Sequence, residues 1–160
     1  MCDKPYLEKI KNIMIEFDQM LNKIKLLNQK YDQAISKYYI HSLNFDDNCK
    51  DIVLDYYKYI AEMTNTLYAF EPHLSSLSEL IVFADSISDT KAIAVCGALL
   101  DEYEKFKCEI SGFIKKCESE ISRTKGTPSL NIMKRSFDEI NRKYIFTHQR
   151  IYSFLNNFPS

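Results

Sequence analysis

A chain of 160 residues with 46% hydrophobic and 27% charged residues has the apolar content for one packed core, which excludes an extensively disordered protein. Only three Gly and four Pro occur, too few for the many tight turns of a sandwich or barrel, so long helices with few joints are expected instead. The net charge of −1 conceals a gradient: residues 1–40 carry seven Lys/Arg against five Asp/Glu, residues 41–114 five against thirteen, and residues 115–160 nine against four.

From the N-terminus, Leu7, Ile10, Met14, Phe17, Leu21, Ile24, Asn28, Tyr31, Ile35 and Tyr38 recur at alternating spacings of three and four. That is a heptad, and it predicts one helix over about 6–40. Asp3 and Pro5 are start signals. Asn28 falls on the apolar seam, where a polar residue fixes register or partner number at some cost in stability. The pattern breaks over Ile40 to Asn48, read as a loop or bulged joint with Asn44, Asp46 and Asp47 as N-caps for a second helix.

The seam resumes at Val53, Tyr56, Ile60, Met63, Leu67, Phe70, Leu74, Leu77 and Ile81, with Pro72 inside it. A proline there removes a backbone donor and crowds the preceding turn, so the helix should kink or end near Phe70 and restart around Ser75. Ser88 or Asp89 can cap a third helix with its seam at Cys96, Leu99, Tyr103, Phe106, Ile110, Phe113 and Cys117, ending near Arg123. Thr127 and Pro128 form an N-cap and first-position proline for a last helix with Leu130, Met133, Phe137, Ile140, Tyr144, Thr147, Ile151, Phe154 and Phe158 on its seam. The reading is a single all-α domain over residues 1–160, an elongated antiparallel bundle of three to four long helices with coiled-coil-like packing. Apolar flanking positions such as Ile13, Met20, Leu27, Ile114 and Ile145 mean that each helix meets more than one neighbour.

No catalytic pattern is found. No His has Glu three residues before it, as an inward-facing di-iron site on helices would need. His-Glu-x-x-His and paired zinc cysteines are absent, and Gly97, Gly112 and Gly126 are too dispersed to cradle a phosphate. His41 with Cys49 is the one conceivable nucleophile pair, but nothing supplies a third, orienting group. No enzyme activity, cofactor or metal is expected. The five cysteines form an odd set without short paired spacing, and no apolar run approaches the ~20 residues that cross a bilayer. A soluble, cytoplasmic chain, peripheral on membranes if it meets them, is the expectation. Tyr38, Tyr39, Tyr56, Tyr57 and Tyr59 cluster around the first joint, and core packing explains them better than an exposed recognition patch. The basic segment Lys115, Lys116, Arg123, Lys125, Lys134, Arg135, Arg142, Lys143 and Arg150 reads first as a solvated face, because Glu118, Glu120, Asp138 and Glu139 interleave with it; as a binding surface it suits anionic lipid better than nucleic acid, for which no reader motif is present.

The stretch from Ile60 to Tyr68 followed by Glu71-Pro72 resembles the end of the first helix of the amphiphysin-like BAR domains, and Leu99 to Ile121 and Met133 to Phe158 resemble their second and a shortened third helix. The chain is shorter than a usual member of that family, contains the extra Ile40 to Asn48 segment and lacks a strongly basic second helix. The resemblance implies a crescent-shaped antiparallel homodimer that senses or shapes anionic membranes. By it, Lys115, Lys116, Arg123, Lys125, Lys134, Arg135, Arg142 and Lys143 would face the membrane. Phe17, Leu21, Ile24, Asn28, Tyr31, Tyr152, Phe154 and Leu155 would face the partner subunit. Two readings compete. One is a helical adaptor or tether that binds another protein's helix through an exposed seam. The other is a helical death-regulator-type groove protein, against which stand the long heptads and the lack of any Asn-Trp-Gly-Arg-like segment or any Trp.

Overall fold

The computed structural model describes residues 5–41, 49–123 and 130–156. They form α1 (Pro5–His41), α2 (Cys49–Ser86), α3 (Thr90–Arg123) and α4 (Leu130–Asn156), with no strand among the described residues. At a rise of 1.5 Å per residue, α1 and α2 are each about 55 Å long. The joint expected between α1 and α2 and the Thr127-Pro128 start of α4 lie outside the described residues.

Side-chain pairs give the topology directly. Along α1 and α2, Tyr6 meets Phe83, Phe17 meets Phe70 and Tyr31 meets Tyr59, with ring centroids 5.3, 5.1 and 5.4 Å apart, so the two helices run antiparallel. Tyr103 and Tyr56 donate to the carbonyls of Leu67 and Ile114 at 3.0 and 3.4 Å, which sets α3 antiparallel to α2. Lys143 on Glu109 (3.2 Å) and Arg150 on Glu102 (2.6 Å) do the same for α4 against α3. Asn28 on the Phe137 carbonyl (3.1 Å) and Asp18 on His148 (2.7 Å) close the ring between α1 and α4. The result is an up-down-up-down four-helix bundle in which α2 and α4 sit on opposite corners.

The seam of α1 is buried at every described position from Leu7 to Ile35, with Asn28 at 3% exposure. In α2 the seam positions Tyr56, Met63, Leu67, Phe70 and Leu77 are buried, and the buried stripe is widened on one side. Tyr59, Thr66 and Leu80 are buried while Ile60, Leu74 and Ile81 are only half-buried. Two adjacent edges of α2 are covered because it touches both α1 and α3, and its apolar face is correspondingly wide. Pro72 does not end α2, which runs unbroken from Cys49 to Ser86. Phe70, Leu77 and Leu80 lie on one face to either side of it, all buried. Burying large apolar side chains at about 1.5–3 kcal/mol each outweighs the ~3 kcal/mol cost of an internal proline, whose ring points to solvent.

The turn from α2 to α3 is a Schellman closure. Asp89 N–H reaches back to the Ala84 carbonyl (2.9 Å) and Ser88 N–H to that of Asp85 (3.1 Å), with Ser88 at φ 56° where glycine is usual. Asp89 then caps α3 by accepting from Ala92 N–H at 3.2 Å, and it also accepts from the Tyr6 hydroxyl at the start of α1. One residue thus joins three helix ends, α2 through its backbone N–H and α3 and α1 through its carboxylate.

Candidate functional site

α1 and α2 leave a furrow between their outer edges. Its larger part, about 720 Å³, has a floor of Tyr6, Ile13, Leu80 and Phe83 and a rim of Lys9, Glu16, His73 and Glu79. A smaller depression of about 210 Å³ shares Glu16 and His73 and continues past Met20 and Phe70 to Lys23 and Thr66. Together they follow α1 from Pro5 to Lys23, which at helical rise is about 27 Å. Phe83 is 49% exposed, and Ile87, in the turn that closes this end of the bundle, is also exposed. His73 lies against the Phe70 ring with centroids 5.2 Å apart, which anchors the middle of the rim.

This furrow escapes sequence reasoning because its residues lie on two helices about sixty positions apart and several are charged. The available signal is a second row at heptad spacing beside the α2 seam, Tyr59, Thr66, His73 and Leu80, which widens the face of α2 turned toward α1. Among the described residues no cluster of His, Cys, Asp and Glu could hold a metal ion. No described helix is long and apolar enough to cross a membrane.

The basic residues separate into two groups. Lys115, Lys116, Arg135 and Arg142 are exposed. The register of α3 against α4 brings Arg135 to the end of the bundle where Lys115 and Lys116 lie, opposite the end closed by Asp89. Lys143 is held by Glu109 and lies over the Phe146 ring, and Arg150 is held by Glu102. Lys125 and the side chains of Arg123 and Lys134 lie outside the described residues.

The residues expected to face a partner subunit are placed differently from that expectation. Phe17, Leu21, Ile24, Asn28 and Tyr31 are buried by their own chain, because α2, α3 and α4 together cover the α1 seam. Asn28 accepts from the Tyr59 hydroxyl (3.0 Å) and donates to the Phe137 carbonyl (3.1 Å), so the register it fixes is between helices of one chain. Tyr152 is exposed at 57%, whereas the side chains of Phe154 and Leu155 are outside the described residues.

Buried tyrosines tie the bundle together rather than forming a patch: Tyr56 and Tyr59 are buried, and of the described members of that cluster Tyr57 alone is exposed. Burial, then the Glu62 carboxylate that its hydroxyl meets at 3.4 Å, raises the Tyr31 phenol. Burial likewise pushes the Tyr103 phenol well above its ordinary range, with Glu71 and Glu104 adding to it. Tyr144 is raised by burial and then by Asp18, and burial pushes the Cys96 thiol up to about 11. Cys96 is therefore a small core residue and unreactive as a nucleophile at neutral pH. Its neighbour on the seam, Cys117, and the His41–Cys49 pair have side chains outside the described residues. Lys107 is raised by its hydrogen bond to Glu71, against a smaller opposing effect of burial.

At α3 and α4, Glu102 is 3% exposed; its Oε1 takes the Arg150 Nε, while its Oε2 and the buried Thr147 Oγ1 have no partner among the described residues. Comparison with known proteins finds no matching family model, no matching curated protein and no matching solved structure.

Proposed function

We propose that this chain is a non-enzymatic helical interaction module, an adaptor or tether, which takes an amphipathic helix of a partner protein into the α1–α2 furrow. The observation that carries this reading is the length and lining of the furrow. A furrow about 27 Å long, with an apolar floor in its larger part, matches the length of an amphipathic helix of roughly 18 residues. Anchors at i, i+3, i+4 and i+7 would rest on Phe83, Leu80 and Ile13, and the mixed charges of Lys9, Glu16, Lys23 and Glu79 would orient the ligand rather than bind it strongly.

A model peptide of this length, with Leu on one face and Lys and Glu on the other, is the direct probe. Titration should perturb NMR resonances of Tyr6, Ile13, Leu80 and Phe83, and Phe83→Ala should weaken binding about tenfold or more, as loss of a buried aromatic anchor does. Perturbation confined to other faces, or a Phe83→Ala affinity equal to that of the native chain, would overturn the reading.

A second reading, a BAR-like module on anionic membranes, is favoured by the exposed Lys115, Lys116 and Arg135 at one end of the bundle. It predicts sedimentation with phosphatidylserine vesicles at low salt that is lost when those three residues are changed to Glu. Full sedimentation by that variant rules the reading out.

A further inference from the structure

The rims of the furrow carry their charges in a definite order. By the ring pairs Tyr6–Phe83 and Phe17–Phe70, its lining residues stand in four levels: Lys9 with Glu79, Asn12 with Ser76, Glu16 with His73, and Lys23 with Thr66. The first level has one charge of each sign and the second has none. The third and fourth are unbalanced. Glu16 stands opposite an imidazole, and Lys23 stands opposite a threonine whose hydroxyl already donates to the Glu62 carbonyl at 2.8 Å. The nearby acids of α2 are engaged elsewhere, the Glu62 carboxylate by the Tyr31 hydroxyl at 3.4 Å and Glu71 by Lys107 on the α3 side. Glu16 and Lys23 are exposed, and neither has an ion-pair partner among the described residues.

Seven positions apart on one helix, these two side chains are separated by about 10 Å along its axis, which is two turns of any helix laid beside α1. They are too far apart to neutralise each other. We infer that the partner helix carries a basic and an acidic residue two turns apart on one edge of its apolar face, the base over Glu16 and the acid over Lys23, and that their order sets its direction. This rests on the furrow being the binding site. A helix with the base first lies parallel to α1 with its N-terminus toward Phe83, whereas one with the acid first is turned end for end. The apolar floor fixes where the helix sits but not its direction, because a row of apolar anchors reads much the same from either end. Charge supplies that choice. Exposed pairs are individually weak, so the selection is modest and salt erases it.

Three peptides of about 18 residues with the same Leu face test this on the full chain. One has Lys two turns before Glu, one has Glu two turns before Lys, and one has Gln at both positions, the rest of each polar face being Gln. At low salt and about pH 8, where histidine is uncharged, both charged peptides should bind about fivefold tighter than the Gln peptide. That advantage should vanish in the Glu16→Gln, Lys23→Gln double variant, whose changed positions are exposed and outside the core. A nitroxide on the peptide N-terminus reads direction. It should broaden NMR resonances of Tyr6 and Phe83 with the Lys-first peptide, and of Lys23 and Thr66 with the Glu-first peptide. Equal affinity of all three peptides, an advantage that survives in the double variant, or broadening at the same end by both charged peptides overturns the inference and leaves binding in the furrow standing. If none of the three perturbs Tyr6, Ile13, Leu80 or Phe83, the furrow reading falls and this inference falls with it.

Discussion

Two layers of the core, eleven residues apart along α1, are built on different chemistry. At Phe17 three aromatic rings from three helices meet: Phe17 lies edge-on to Phe70 at 5.1 Å and to Tyr103 at 6.2 Å, and Phe70 lies 5.2 Å from Tyr103. At Asn28 the centre is polar, with an amide bonded to the Tyr59 hydroxyl on α2 and to the Phe137 carbonyl on α4. The first layer gains its stability from area and density, which many apolar side chains could supply. The second gains little net energy from its hydrogen bonds, yet a one-turn slip of α1 would take the buried Asn28 amide away from both of its partners. One layer holds the helices together, and the other says where along each other they stop.

The contrast between the layers can be broken from either side. Phe17→Ala removes a fully buried ring and should cost about 3–5 kcal/mol, read as a lower urea midpoint with an unchanged denaturant slope. Asn28→Ala removes the buried bonds to the Tyr59 hydroxyl and the Phe137 carbonyl and should cost about 1–3 kcal/mol. Adding Tyr59→Phe to Asn28→Leu should restore most of the stability while broadening the methyl NMR spectrum, because register is then no longer specified. Loss of stability in the double variant equal to the sum of the singles would remove the distinction between the layers.

Alkaline titration sharpens the aromatic side. Tyr31, Tyr103 and Tyr144 have folded values raised above 10.0, Cys96 above 9.0 and Lys107 above 10.5. A raised folded value means the native state holds its proton more tightly than the unfolded chain, so the stability is complete below these ordinary values and is lost as pH rises through them. Thermal melts should therefore fall steadily above about pH 9, and Tyr103→Phe should blunt the decline. The smallest expected effect lies outside both layers. Ser88→Gly relieves a left-handed residue costing about 1–2 kcal/mol but frees the unfolded chain, for a net gain of about 0.5 kcal/mol in chemical denaturation.

Much of the fold is legible in the sequence. The α1 heptad names its buried positions through Ile35, and Asp89 is recognisable as a cap, because both depend on local spacing. The α2 seam read from spacing holds at Tyr56, Met63, Leu67, Phe70 and Leu77 but omits the second buried row at Tyr59, Thr66 and Leu80, since a helix wedged between two neighbours has two adjacent apolar edges. Pro72 reads as a kink or an end because its local cost is visible in sequence, and the burial that carries the helix on past it is not. Phe17, Leu21 and Ile24 look like partner-facing residues for a related reason. A heptad reports that a seam must be covered and is silent on whether the same chain covers it. The furrow is not legible at all, because it belongs to the space between helices.

The unbroken course of α2 through Pro72 also makes the bundle a ruler. The furrow is centred near Met14, and the exposed basic end lies beyond Tyr31, roughly 25 Å farther along the same axis. Helices locked in register by the Asn28 contacts hold that interval fixed. Lengthening every helix by one heptad would widen it by about 10 Å while leaving every seam contact in phase.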